Sequence, residues 1–81
     1  MQNPNLIQFI RTAHRQYFEV TVNGFRVGAL FTNGRVVNGS GHILGYDPVT
    51  GLSKLLGLSL TETTEVFMRE SLRAMQEEGK L

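Results

Sequence analysis

The sequence predicts an α+β domain: an antiparallel sheet of three to four strands, with two C-terminal helices packed on one face. Three observations predict it. Asn-Gly pairs stand at 23–24, 33–34 and 38–39, all in the first half of the chain. Apolar residues alternate with polar ones from Tyr17 to Phe31. Beyond Asp47 the pattern changes to helical spacing with helix-start signals. Strands first and helices last imply two layers, and 81 residues suffice for one domain, residues 1–81.

The first element, Leu6 to His14, admits two readings. Asn3-Pro4 resembles a helix cap, and Leu6, Phe9, Ile10 and Ala13 recur at helical spacing, which slightly favours a helix. Leu6-Ile7-Gln8-Phe9-Ile10 is also a good edge strand. Tyr17 to Val22 is a strand, with Phe18, Val20 and Val22 on the core face and Tyr17, Glu19 and Thr21 on the other. Asn23-Gly24 supplies the two positive-φ positions of a tight hairpin turn. The next strand is expected to put Phe25, Val27, Ala29 and Phe31 in the core, opposite Arg26, Gly28, Leu30 and Thr32. A third strand follows within Arg35 to Leu44, and Asn33-Gly34 and Asn38-Gly39 compete for the turn into it.

Asp47-Pro48 reads as the cap and first position of a short helix carrying Leu52, Leu55 and Leu56 and stopped by Gly57. Gly51 inside it weakens the helix. Ser59-Leu60-Thr61-Glu62 fits a capping box. The last helix runs to Glu78, with Phe67, Met68, Ser71, Leu72 and Met75 as its apolar stripe and Glu65, Arg69, Arg73 and Glu77 as a charged ladder. The expected core joins Phe18, Val20, Val22, Val27, Leu56, Phe67 and Leu72.

Composition narrows the function. The net charge is +1, too small a footprint for general nucleic-acid or membrane binding. Its distribution is uneven. Residues 1–45 hold four arginines against Glu19 alone, a balance of +3, and residues 46–81 hold four basic against six acidic residues, −2. Cysteine is absent, which removes thiolate chemistry and Cys-type zinc sites and suits a cytoplasmic setting. No apolar run reaches the roughly 18–20 residues of a membrane span. The N-terminus, Met1-Gln2-Asn3-Pro4, has neither the basic nor the apolar region of a signal peptide.

No enzyme is expected. The histidines are His14 and His42. His42 lies two residues from Ser40, but a Ser-His pair needs an orienting acid, and Asp47 is a loose candidate. Gly39 to Gly45 is glycine-rich like a phosphate loop, yet no lysine follows it, and a hairpin or bulge is the better reading. Neither a metal nor a cofactor is called for. The sheet face turned from the helices is more informative. Tyr17, Glu19 and Arg26 share it, and tyrosine and arginine are the residues most enriched in binding hot spots. A binding protein is the leading expectation. A small nucleic-acid-binding regulator and a homodimerising module are the rivals.

A set of short motifs adds a family. Thr12-Ala13-His14, Tyr17, the strand Phe18-Glu19-Val20-Thr21-Val22, Asn23-Gly24, and Val36-Val37-Asn38-Gly39 together make the chain resemble the small phage-encoded type I-F anti-CRISPR proteins of four strands and two helices. The resemblance implies an inhibitor in the cytoplasm of the infected bacterial host. Such an inhibitor docks on the backbone subunits of the crRNA-guided CRISPR-Cas surveillance complex and keeps target DNA from pairing, without itself contacting nucleic acid. It also implies that Leu6 to Arg11 is a strand, and it sets Phe9 at the place of a contacting tyrosine, making Phe9, Tyr17, Glu19 and Arg26 the expected partner contacts.

Overall fold

The computed structural model describes residues 5–13 and 16–79, with side chains through Gln76. The Asn3-Pro4 signal, His14 and the side chain of Glu77 lie outside the described residues. The elements run β1 (Ile7–Arg11), β2 (Tyr17–Val22), β3 (Phe25–Phe31), β4 (Val36–Asn38), β5 (Ile43–Gly45), α1 (Pro48–Leu56) and α2 (Leu60–Gly79). The five strands form one antiparallel sheet in chain order. Both helices lie on the same face, α2 against β1 and α1 against β3, β4 and β5. Between the layers sit Phe9, Val20, Leu30, Val36 and Leu52, with Phe18, Val27, Leu55, Leu56 and Phe67 packed around them. No helix among the described residues is long and apolar enough to cross a membrane.

The α+β class and the helix-covered sheet are as the sequence predicts, and four details differ. First, the local helix preference for residues 6–13 gives way to strand β1. Pairing Ile7 with Val22 and Phe9 with Val20 buries both Ile7 and Phe9 at 3% exposure, more than local spacing alone could secure. Second, the two remaining Asn-Gly pairs do not compete: each makes a turn. Gly34 takes φ +98° after β3, and the Asn38 carboxamide accepts from the Ser40 and His42 amides after β4. The expected third strand is thereby split in two, which brings the sheet to five strands.

Third, β3 changes face partway. Asn23 (φ +54°) and Gly24 (φ +87°) make the hairpin turn, but the register shifts between Val20 and Thr21, leaving Val27 as the extra residue. A one-residue slip moves every later side chain to the other face. Leu30 therefore faces the helices, and Ala29 and Phe31, set opposite Glu19 and Tyr17, face away. Gly28 also turns inward. A Cβ there would strike the Val37 carbonyl and come within 2.9 Å of Leu55, so glycine at this site lets α1 approach the sheet.

Fourth, α2 is rotated from its expected phase. Its buried residues are Thr63, Val66, Glu70 and Ala74, with Phe67 beside them, whereas Met68, Leu72 and Met75 are more than half exposed. Leu72 thus leaves the expected core. The helix ends follow their signals. Asp47 accepts from the Thr50 amide at 3.1 Å, Gly57 closes α1 at φ +68°, and the Ser59 hydroxyl accepts from the Glu62 amide at 3.2 Å. Thr63 tolerates full burial because its hydroxyl donates to the Ser59 carbonyl at 2.7 Å.

Candidate functional site

Both helices lie on one sheet face, and among the described residues no element covers the other. Alternation and cross-strand pairing assign that face residue by residue. Gln8 pairs with Thr21, Ile10 with Glu19, Glu19 with Ala29, and Tyr17 with Phe31; Ala29 pairs in turn with Val37, and Val37 with Ile43. The face therefore mixes polar residues, among them Gln8, Glu19 and Thr21, with apolar ones, of which Ile10 and Ile43 are exposed at 39% and 47%.

Two side-chain groups stand on it. The Tyr17 and Phe31 rings lie 5.2 Å apart, tilted by 35°, and the Arg35 guanidinium carbon sits 4.5 Å from the centre of the Phe31 ring. That geometry is an aromatic pair capped by a cation. Beside it, Arg26 Nε lies 3.6 Å from Glu19 Oε1, with both side chains about half in water. Such an exposed pair contributes little to stability, so its use is open to a partner.

Of the four expected contact residues, Tyr17, Glu19 and Arg26 share this face, as their alternation implies. Phe9 does not. Its side chain is on the helix side, 3% exposed, with its ring 6.4 Å from those of both Phe18 and Phe67. It lines an apolar groove of about 480 Å³ together with Phe18, Leu30, Phe67, Ala74 and Met75. Phe9 is therefore part of the core wall, because pairing with Val20 fixes it on the helix side. Sequence reading missed Phe31 and Arg35. Only the bulge puts Phe31 outward, and a bulge leaves no mark in the alternation before Val27.

The opposite edge of α2 carries a polar cluster that the sequence concealed within a charged ladder. Glu70 is buried, its side chain 5% exposed. Its Oε1 accepts from the Phe9 amide at 3.1 Å and from Arg73 Nε and Nη2 at 3.1 and 2.8 Å. Arg73 Nη2 also donates to the Phe9 carbonyl at 2.9 Å, and Arg69 Nε lies 3.5 Å from Glu70 Oε2. Helix α2 thus occupies both outward backbone groups of Phe9, as a neighbouring strand would. The edge of β1 is closed there.

Ser40 and His42 lie in the β4–β5 turn, their amides tied to Asn38, and the Asp47 carboxylate caps α1. Among the described residues no three His, Asp or Glu side chains form a group able to hold a metal ion. Comparison with protein-family models, with curated proteins and with solved structures finds no match to this chain.

Proposed function

We propose that the chain is a binding protein that docks its open sheet face on a protein partner, and that it acts as an anti-CRISPR inhibitor. In this reading the partner is the protein backbone of a crRNA-guided surveillance complex in the bacterial cytoplasm, and docking blocks target DNA recognition. The observation that carries the docking reading is the uncovered face itself. Tyr17, Glu19 and Arg26 stand together on a rigid antiparallel sheet, surrounded by Ile10, Phe31 and Ile43. Side chains held on strands lose little ordering entropy on docking, and a central aromatic can supply much of the energy. The choice of partner rests on the Thr12-Ala13-His14-x-x-Tyr17 and Val36-Val37-Asn38-Gly39 motifs.

The test is phage plating on a bacterium with active type I-F immunity, combined with binding to the purified surveillance complex. Expression of the chain should restore plaques. Tyr17→Ala or Arg26→Ala should weaken binding about thirtyfold, roughly 2 kcal/mol, and Arg26→Ala, at an exposed ion pair, should leave the melting temperature nearly unchanged. Intact immunity and no binding to the complex would refute the anti-CRISPR reading. Inhibition lost only on substituting Glu65, Arg69 and Arg73 would move the docking surface to α2.

A further inference from the structure

We propose that the partner surface presents a carboxylate to Arg35; this rests on the docking reading above and names the chemistry that the open face receives. The observations concern charge. Glu19 is the one acidic residue among positions 1–45, and it faces Arg26. No carboxylate among the described residues pairs with Arg35, and its Nε is out of water without a hydrogen-bond partner. A cation so placed has lost part of its hydration and gained no counter-charge from its own chain, so an incoming carboxylate meets a stronger attraction than at a fully solvated arginine.

The position is also preorganised. The Phe31 amide donates to the Arg35 carbonyl at 2.8 Å, and the Arg35 amide donates to Asn33 Oδ1 at 3.0 Å. The guanidinium then lies over the Phe31 ring, whose other neighbour is Tyr17. Stacking fixes the plane of the fork before any partner arrives, which lowers the entropy lost on binding.

Both a carboxylate and a phosphate could satisfy a guanidinium, and the surroundings favour the carboxylate of a protein. Nucleic-acid binding on a sheet uses free aromatic faces for base stacking together with a run of cations. Here Arg35 already covers Phe31, and the Glu19 carboxylate beside Arg26 interrupts any run of cations. The neighbouring accessible strand positions are Val37 and Ile43, an apolar surround suited to protein side chains.

Amide shifts of the isotope-labelled protein would be followed during titration with two probes of equal charge, an acetylated peptide of alternating glutamate and leucine and a short oligothymidylate. The peptide should move the amides of Phe31, Arg35 and Val37. Arg35→Gln should weaken it at least tenfold with an unchanged melting curve, and Arg35→Lys, which keeps the charge without the stacked fork, should fall between. Unmoved amides, or equal binding by Arg35→Gln, would overturn the inference. So would oligothymidylate moving the same amides at lower concentration, which would assign phosphate, or a concentration-dependent dimer buried on this face, which would assign a second copy. The surveillance complex gives a separate result. If it fails to bind the wild-type chain, the anti-CRISPR reading falls while the peptide result stands; if it binds Arg35→Gln undiminished, only the carboxylate inference falls.

Discussion

Replacing Glu70 tests how the two layers are joined. Its buried carboxylate holds the Phe9 amide and Arg73 at once, and Arg73 reaches on to the Phe9 carbonyl. In Glu70→Ala the Phe9 amide loses its acceptor in a buried setting, a cost of about 1–3 kcal/mol. Arg73 also loses its ion pair with Glu70. Removing one partner of a fully buried pair costs roughly 3–5 kcal/mol, but the Arg73 side chain is 33% exposed, so water recovers much of that. The two effects together give about 3 kcal/mol, a large share of the roughly 5–15 kcal/mol that a domain possesses. At about 4–8 °C per kcal/mol for a chain of this size, the melting temperature should fall by more than 10 °C. Glu70→Gln keeps an oxygen for the Phe9 amide and loses only the charge, so it should cost about half as much. Urea unfolding followed by circular dichroism gives the energies, and amide hydrogen exchange at Phe9 gives the site. If Glu70→Ala lies within about 0.5 kcal/mol of wild type and the Phe9 amide stays protected, the carboxylate does not join α2 to β1.

Other substitutions separate core, surface and contact. Gly51→Ala would ordinarily strengthen a helix by about 1 kcal/mol, but its Cβ would lie 2.5 Å from that of Val36, so urea unfolding should reveal a net loss of about 1–3 kcal/mol. Met68→Gln and Leu72→Gln, both at exposed positions, should shift stability by less than about 0.5 kcal/mol, whereas Phe67→Ala should cost about 3 kcal/mol in the same assay. Phe9→Leu should lower the unfolding free energy by about 1 kcal/mol and leave partner affinity unchanged once corrected for folded fraction; a loss of affinity would return Phe9 to the contact set. Asn23→Ala should cost roughly 1–2 kcal/mol, since it loses the bond from the Leu6 amide at 2.8 Å and places alanine at φ +54°.

Local chemistry was legible wherever it acts alone. Asn23-Gly24, Asp47-Pro48, Gly57 and the Ser59–Glu62 pair sit where their backbone preferences require. The alternation that put Tyr17, Glu19 and Arg26 on one face also survived. What failed depended on a neighbour. Strand β1 exists because β2 offers an edge, and the outward turn of Phe31 follows from a bulge against β2. The phase of α2 was misread because hydrophobicity favoured Met68, Leu72 and Met75. The interior instead takes Thr63 and Glu70, whose polar atoms find partners on burial. A buried acid at a core position looks like any surface glutamate until the amide it serves is known.

An antiparallel sheet offers two edges and two faces. Here α1 and α2 take one face, and Glu70 with Arg73 takes the outward backbone groups of Phe9 on the β1 edge. The other edge, β5, is three residues long, too short to template an added strand. Strand addition is thus disfavoured at β5 and at Phe9, which leaves the open face and the exposed side of α2, with Met68, Leu72 and Met75, as surfaces for side-chain contact. The bulge shapes the open face as well as the register. Without it, the pleat would carry Phe31 to the helix side and Leu30 outward, and Arg35 would lose the ring on which it lies. One extra residue in β3 gives the face both its second aromatic and its oriented cation.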